Sequence, residues 1–337
     1  MIEPYLLYTL GTILFVLGMI GYFKVASQYH IIDKPNERSS HVKPTVRGGG
    51  IIFVFAMLLV ALQNDFDLPF FITGFFTVSI ISFMDDIKEM SKRWRLGTQL
   101  ISLTLLIYQV TQGELEWWQW AVFLVLAMSS VNFYNFMDGI NGITAFYSLV
   151  FLGSCLYLQQ TGELAVKEDL IVLPMLSVLV FSFFNARKRA RCFAGDVGSV
   201  SMAFIVVYLV GLLCWQHQDF TYIWLLGIYG VDAVLTIFQR IMLGQNILQG
   251  HRLHLYQLMA NEGAIPHVRV SAIYAIIQAM LNVFILGYII PNQFDPVLLN
   301  IAMAVFFISI YVPIKYGFGK KLERSAKKHG KTQSMAG

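Results

Sequence analysis

Residues 68–88, LPFFITGFFTVSIISFMDDIK, run through a long apolar stretch into two adjacent carboxylates, Asp85 and Asp86. The apolar part suits a helix crossing a bilayer, which takes about 20 predominantly apolar residues. An ionised carboxylate at mid-bilayer costs about 2.5–3.5 kcal/mol on insertion scales, and less at the interface. The pair therefore belongs at the membrane surface. Acids are also disfavoured at a helix C-terminus, so their presence there points to use rather than packing.

The rest of the chain extends this pattern. Its 337 residues are 57% hydrophobic and only 13% charged, against about 25% charged in an ordinary soluble domain, and the mean hydropathy is +0.63. This composition excludes a soluble enzyme, and no nucleic-acid fold signature competes with a membrane reading. The expected fold is an all-α polytopic membrane protein of about 11 transmembrane helices. The spans lie at about 4–24, 48–63, 68–85, 96–112, 117–135, 142–160, 169–185, 198–215, 220–240, 269–290 and 296–315. The first lacks a following small-residue cleavage site, so it reads as a helix rather than a signal peptide. Residues 1–315 form one transmembrane catalytic domain with five cytoplasmic motif loops, and 316–337 form a basic cytoplasmic tail. Cys155, Cys192 and Cys214 lack metal-type spacing and read as packed or lipid-facing thiols.

Charge sets the orientation. Of the 24 Lys and Arg residues, all but Lys167 fall in loops after odd-numbered spans or in the tail. The positive-inside rule places those loops and the C-terminus in the cytoplasm, with the N-terminus outside.

The unusual polar clusters fall in the same odd loops. In the first, Lys43-Pro44-Thr45 and Arg47-Gly48-Gly49-Gly50 precede a span. Basic residues and glycines opening a helix suit a phosphate, and a plain positive-inside linker with a hinge explains them about equally well. Asp85 and Asp86 follow. Helix neighbours point about 100° apart, so one is expected to face phosphates and the other to act through metal, water or Lys88. In the third loop Asn135, Asp138 and Asn141 recur every three residues and, on a continuous helix, share a face able to read a nucleotide. In the next loop Asn185 precedes the basic run Arg187 to Arg191, and Gly195-Asp196-Val197-Gly198 opens a span. Asp196 is the metal candidate, since Mg²⁺ binds through one or two carboxylates plus substrate phosphates. Asp232, deep in the ninth span, reads as a supporting carboxylate. His251, Arg252 and His254 place three cationic or protonatable groups in four residues, which suits a diphosphate.

Together these clusters fit phosphoryl transfer between a soluble diphosphate and a lipid acceptor, chemistry served mainly by positioning and charge neutralisation. The ordered motifs Ser39-Ser40-His41, Arg47-Gly48-Gly49-Gly50, Asp85-Asp86-Ile87-Lys88, Asn135-Phe136-Met137-Asp138-Gly139, Phe193-Ala194-Gly195-Asp196-Val197-Gly198-Ser199 and His251-Arg252-Leu253-His254 resemble the polyprenyl-phosphate N-acetylhexosamine-1-phosphate transferases, glycosyltransferase family 4. The resemblance implies transfer from a UDP-N-acetyl-sugar to undecaprenyl phosphate in a bacterial inner membrane, with the active site facing the cytoplasm. It implies Mg²⁺ as cofactor, with Mn²⁺ a substitute, held by Asp196. It further implies catalytic roles for Asp85, Asp86 and His254, and a nucleotide-sugar site of Lys43, Asn135, Asp138, Asn185, His251 and Arg252. Besides membrane lipid, a homodimer is a partner it allows. The family commonly has Asp where Asn141 stands, and the His-Arg-x-His form of the fifth loop looks like the branch initiating O-antigen or similar surface polysaccharide. The rival class is a polytopic transporter or flippase for a phosphorylated lipid, whose acids would lie near the midplane instead of at one face.

Overall fold

The structure is a computed structural model that describes residues 3–35, 43–246 and 252–334, with residues 320–334 described by their backbone. The fold is all-α and polytopic. Its helices are α1 (Pro4–Gln28), α2 (Ile51–Gln63), α3 (Pro69–Ile87), α4 (Lys92–Thr111), α5 (Trp117–Met137), α6 (Ile143–Gln160), α7 (Asp169–Asn185), α8 (Gly195–His217), α9 (Gly227–Met242), α10 (Leu255–Asn261), α11 (His267–Phe284) and α12 (Pro296–Ser334). Every expected span coincides with helical structure. Among the described residues, seven stretches are long and apolar enough to cross a membrane, and α2 and α7 are apolar but shorter.

Two elements depart from expectation. The ninth span is not one continuous α-helix: a 3-10 segment, Phe220–Leu226, precedes α9. The change of helix type leaves backbone groups to be satisfied by side chains. Gln278 of α11 accepts from Ile228 N at 2.9 Å and donates to the Trp224 carbonyl at 2.9 Å, while Tyr147 OH accepts from Tyr229 N at 3.1 Å. The basic tail, in turn, begins as a direct continuation of α12, which runs on to Ser334.

α8 is the axis of the bundle. It is apolar on all sides and most of it is buried, as expected for a helix enclosed by others. α3 packs along it through Phe71, Phe75, Phe204 and Tyr208, whose rings approach to 4.2 Å between Phe71 and Tyr208. Ser79 and Ser201 close the same seam with a 2.7 Å hydrogen bond, the small polar contact that joins membrane helices well.

At the other end of that seam, the C-termini of α3, α5 and α7 meet the N-termini of α2 and α8. A two-residue ribbon, β1 (Ile32–Asp33) and β2 (Thr45–Val46), closes this end. Phe193 N donates to the Val46 carbonyl at 2.8 Å, and Gly49 N and Gly50 N donate to the Phe193 and Ala194 carbonyls. The first loop is thereby stitched to the strand that leads into α8.

Candidate active site

Three carboxylates and two guanidinium groups interlock at this end. Asp86, at the last turn of α3, has no exposed side chain surface. Its Oδ1 accepts from Asp196 N at 2.9 Å and its Oδ2 from Val197 N at 2.9 Å. A carboxylate from one helix thus caps the N-terminus of another, where free N–H groups and the dipole both favour an anion. Gly195 permits the approach: its φ is +73°, and a Cβ there would stand 2.4 Å from Asp86 Oδ2.

Arg47 Nε reaches Asp86 Oδ1 at 2.6 Å, and its Nη2 reaches Asp196 Oδ1 at 3.2 Å. Arg95 spans the other side, from Nη1 to Asp85 Oδ2 at 2.9 Å and from Nη2 to Asp196 Oδ2 at 2.8 Å. Asp85 Oδ1 also accepts from Met90 N at 2.7 Å, which closes the turn into α4. Burial alone would lower the Arg47 pKa; the Asp86 and Asp196 carboxylates outweigh it and hold the group above its ordinary value. Lys88, expected as a partner of the aspartates, is exposed at the C-cap of α3, and the two arginines take its place.

Beside this cluster lies a cavity of about 390 Å³. It is lined by Asp33, Arg47, Asn135, Asp138, Asn141, Asn185, Phe193, Asp196, Gln257 and His267, among others. Asn135, Asp138, Asn185 and Asp196 are therefore brought together as expected, but by a different local structure. α5 ends at Met137, and Asp138 and Asn141 lie in the turn that follows, with Gly142 at φ +86°. The expected shared helical face is absent, because Gly139 and Gly142 turn the chain instead of extending α5.

Each residue in this wall is held by specific contacts. Ser199 donates to Asn135 Oδ1 at 2.6 Å, and Thr144 donates to Asp138 Oδ1. Burial pushes the Asp138 carboxyl up to about 6, against the Thr144 hydrogen bond, which pulls it down. Both ends of the Asn185 amide engage backbone: Oδ1 accepts from Gly142 N at 2.7 Å, and Nδ2 donates to the Cys192 carbonyl at 2.9 Å. Asn141 Nδ2 donates to the Arg187 carbonyl at 2.8 Å, a contact an ionised Asp could not make.

The remaining expected residues are more dispersed. Lys43 is exposed on the first loop, Arg252 is half-buried, and His251 lies outside the described residues, as do Ser39 to His41. His254 is buried at the N-cap of α10 beside Asp232, outside the cavity lining. The glycine run does not cradle a phosphate through its last two N–H groups, which bond to backbone carbonyls. It serves close packing: a Cβ on Gly50 would stand 2.1 Å from Gly198 Cα. Arg95, Asp33, Gln257 and His267 were given no site role from sequence, and Phe193 stood only within a quoted motif. Arg95 had only its place in a basic run as a signal, since its partners lie 10 and 101 residues away in the chain.

With all five groups ionised, two guanidiniums against three carboxylates leave the cluster one negative charge in excess. Among the described residues, no group of three His, Cys, Asp or Glu side chains is arranged to hold a metal ion. The donor chemistry nonetheless fits a hard cation: the site offers carboxylate oxygens with net negative charge, and Asp196 is the most exposed of the three.

Residues 68–213 match the family model described as "Glycosyl transferase family 4". The chain is 24% identical over 295 residues to the "Probable undecaprenyl-phosphate N-acetylglucosaminyl 1-phosphate transferase" of Bacillus subtilis (strain 168), covering 80% of each chain. It is 25% identical over 270 residues to the "Undecaprenyl-phosphate alpha-N-acetylglucosaminyl 1-phosphate transferase" of Salmonella typhi, and 24% identical over 270 residues to the Escherichia coli (strain K12) protein of that name. In both cases 71% of this chain and 72% of the relative are covered. At the level of the family, the chain matches the undecaprenyl-phosphate N-acetylhexosamine-1-phosphate transferases of glycosyl transferase family 4.

Proposed function

We propose that this protein transfers N-acetylhexosamine 1-phosphate from a UDP-N-acetyl-sugar to undecaprenyl phosphate, releasing UMP. The product, undecaprenyl-diphosphate-sugar, would initiate O-antigen or another surface polysaccharide. The observation that carries this reading is the cluster of Asp85, Asp86 and Asp196 interleaved with Arg47 and Arg95, beside a polar cavity and at one end of a polytopic bundle. A transporter would place its acids near the midplane of the membrane.

In the reaction, an oxygen of the lipid phosphate forms a bond to the β-phosphorus of the donor. The bond from that phosphorus to the α–β bridging oxygen breaks, and its electron pair leaves with UMP. One phosphoanhydride replaces another, so the step is close to isoenergetic. Catalysis then rests on holding the two phosphates in line and offsetting their charge.

Arg47 and Arg95 supply fixed positive charge. Asp85 would position or deprotonate the lipid phosphate, while Asp86 places Asp196 by capping α8. Asp196 would hold Mg²⁺, or Mn²⁺ in its place, and the ion would offset charge on the donor diphosphate. Asn135 and Asp138 would contact the nucleotide, with Asn185 fixing the turn that carries Asp138. Lys43, Arg252 and His254, with His251, serve the diphosphate or sugar. The bundle would lie in a bacterial inner membrane with about eleven crossings, N-terminus outside, and the site at the cytoplasmic face.

The test is release of UMP from UDP-N-acetyl-sugars by the purified protein in nanodiscs. Release that requires both undecaprenyl phosphate and Mg²⁺ is expected. Silence across UDP-GlcNAc, UDP-GalNAc and UDP-6-deoxy-HexNAc would overturn the enzyme reading.

A further inference from the structure

A second cavity, of about 690 Å³, lies at the far end of the bundle from the carboxylate cluster. His217 and Asp219, at and just beyond the C-terminus of α8, line it, whereas Asp196 opens the same helix, roughly 30 Å away at the α-helical rise per residue. The end of α6, the 3-10 segment before α9, the end of α11 and the start of α12 supply the other walls. The volume falls in the range of about 300–1,000 Å³ that small-molecule sites occupy.

One side of this cavity is acidic. Asp219 Oδ1 accepts from Thr221 N at 2.8 Å and so starts the 3-10 segment. His217 Nε2 donates to the Glu163 backbone carbonyl at 2.8 Å, which ties the turn after α6 to the end of α8. The same nitrogen stands 3.7 Å from Glu163 Oε2, too far for a hydrogen bond, so the Glu163 carboxylate has no hydrogen-bond donor among the described residues. Tyr222 adds a phenol beside the His217 ring, 4.9 Å between centroids. Tyr222 is only 1% exposed, yet its hydroxyl has no hydrogen-bond partner among the described residues. Buried polar groups are nearly always paired, so an unpaired phenol lining a cavity marks a place for a ligand.

The other side is apolar, with Leu286, Ile289, Phe294 and Leu299. Here α11 passes into a π turn, Ile285–Ile289, a rare distortion found mostly at functional sites. No Lys or Arg is among the described residues that line the cavity. A phosphate or carboxylate would therefore meet like charge from Glu163 and Asp219. An ammonium group offers three N–H donors and positive charge to the same oxygens, and the phenol oxygen accepts as well. We propose that this cavity binds the protonated amine of an amphiphile, with the ammonium among Glu163, Asp219 and Tyr222 and the hydrocarbon against Leu286, Ile289 and Leu299. The headgroup of an aminophospholipid and a free alkylamine share that chemistry. Binding there is independent of the transfer reaction proposed above.

The experiment titrates the full chain, in uncharged dodecyl maltoside micelles, with octylammonium chloride by calorimetry. Octanoate and octan-1-ol are the controls of equal chain length, and protein-free micelles correct for partitioning. Saturable binding of octylammonium is expected, with both controls weaker by about tenfold or more. Glu163→Gln changes a side chain that is 49% exposed, so the fold should tolerate it, and it should weaken octylammonium by about fivefold or more. Leu299→Trp, which fills the apolar side, should abolish binding. Equal binding of the three probes, no saturable binding, or an unchanged affinity in Glu163→Gln would overturn the proposal, the last even if Leu299→Trp fails to fold. Native mass spectrometry of protein extracted from membranes separates the two sources. Phosphatidylethanolamine retained in preference to phosphatidylglycerol and displaced by octylammonium would make the occupant a lipid headgroup, whereas octylammonium binding with no retained lipid would make it a free amine.

Discussion

Asp196 differs from its two neighbours in one respect that matters for chemistry: its side chain keeps 15% exposure, against 4% for Asp85 and none for Asp86. It also touches both guanidiniums, so neutralising it removes the common partner of Arg47 and Arg95. Asp196→Asn is expected to abolish turnover, by about 10²-fold or more, while the protein still inserts and purifies as a single species. An active variant with unchanged Mg²⁺ dependence would remove Asp196 from the metal site. Asp138 offers a pH test. Burial raises its folded pKa to about 6, above the unfolded value, so its contribution to stability is fully present at low pH and is lost as pH rises through 6. The melting temperature of wild type relative to Asp138→Asn should therefore fall between about pH 4 and 6 and level off above, and a flat difference would contradict the burial of that carboxyl. The residue types at the site were legible in sequence because intramembrane acids are expensive. Their partners were not: Arg47 and Asp86 lie 39 residues apart, and nothing local marks one as the counter-ion of the other.

Gly50 shows how an element can look like a ligand site and serve packing instead. A glycine run before a helix suggests an anion cradle, yet its N–H groups bond to the Phe193 and Ala194 carbonyls, and Gly50 presses against Gly198 across the α2–α8 contact. The contact is backbone on backbone, so no side chain can give way to a new methyl group. Gly50→Ala is expected to destabilise the protein by about 1–3 kcal/mol or more, read as a lower melting temperature or loss of folded yield in detergent. An unchanged melting temperature would refute the close approach. Helix positions were otherwise well marked, because apolar runs end at turn signals such as Asp65 to Pro69 and Pro291 to Pro296. The stretch after α5 reads as a loop in sequence, and the shared face that a continuous helix would give Asn135, Asp138 and Asn141 is not formed, because the glycines between them turn the chain. The break before α9 had no local signal strong enough to find, since Gln278 and Tyr147, which sustain it, come from α11 and α6.

Across the whole molecule, alternation of helix direction brings five chain segments to one end, and the lopsided Lys and Arg distribution is the ground on which we propose that this end faces the cytoplasm. That orientation predicts that a membrane-impermeant maleimide applied to intact cells labels Glu163→Cys and leaves Lys188→Cys unlabelled; both positions are exposed. The reverse pattern would invert the protein and move the site outside. Fold class was readable because membrane insertion writes itself into composition. The docking of α10 was not, since it depends on Asp232, Tyr274 and Tyr311 arriving from three helices. The central claim is that phosphorus, and not the sugar alone, moves to the lipid. The most direct measurement follows ³²P from a UDP-N-acetyl-sugar labelled at the β-phosphate, incubated with the protein, undecaprenyl phosphate and Mg²⁺. The account predicts that the label enters the lipid extract while unlabelled UMP appears in the aqueous phase. Label that remains in released UDP, with sugar on the lipid, would show attack at the anomeric carbon and contradict it.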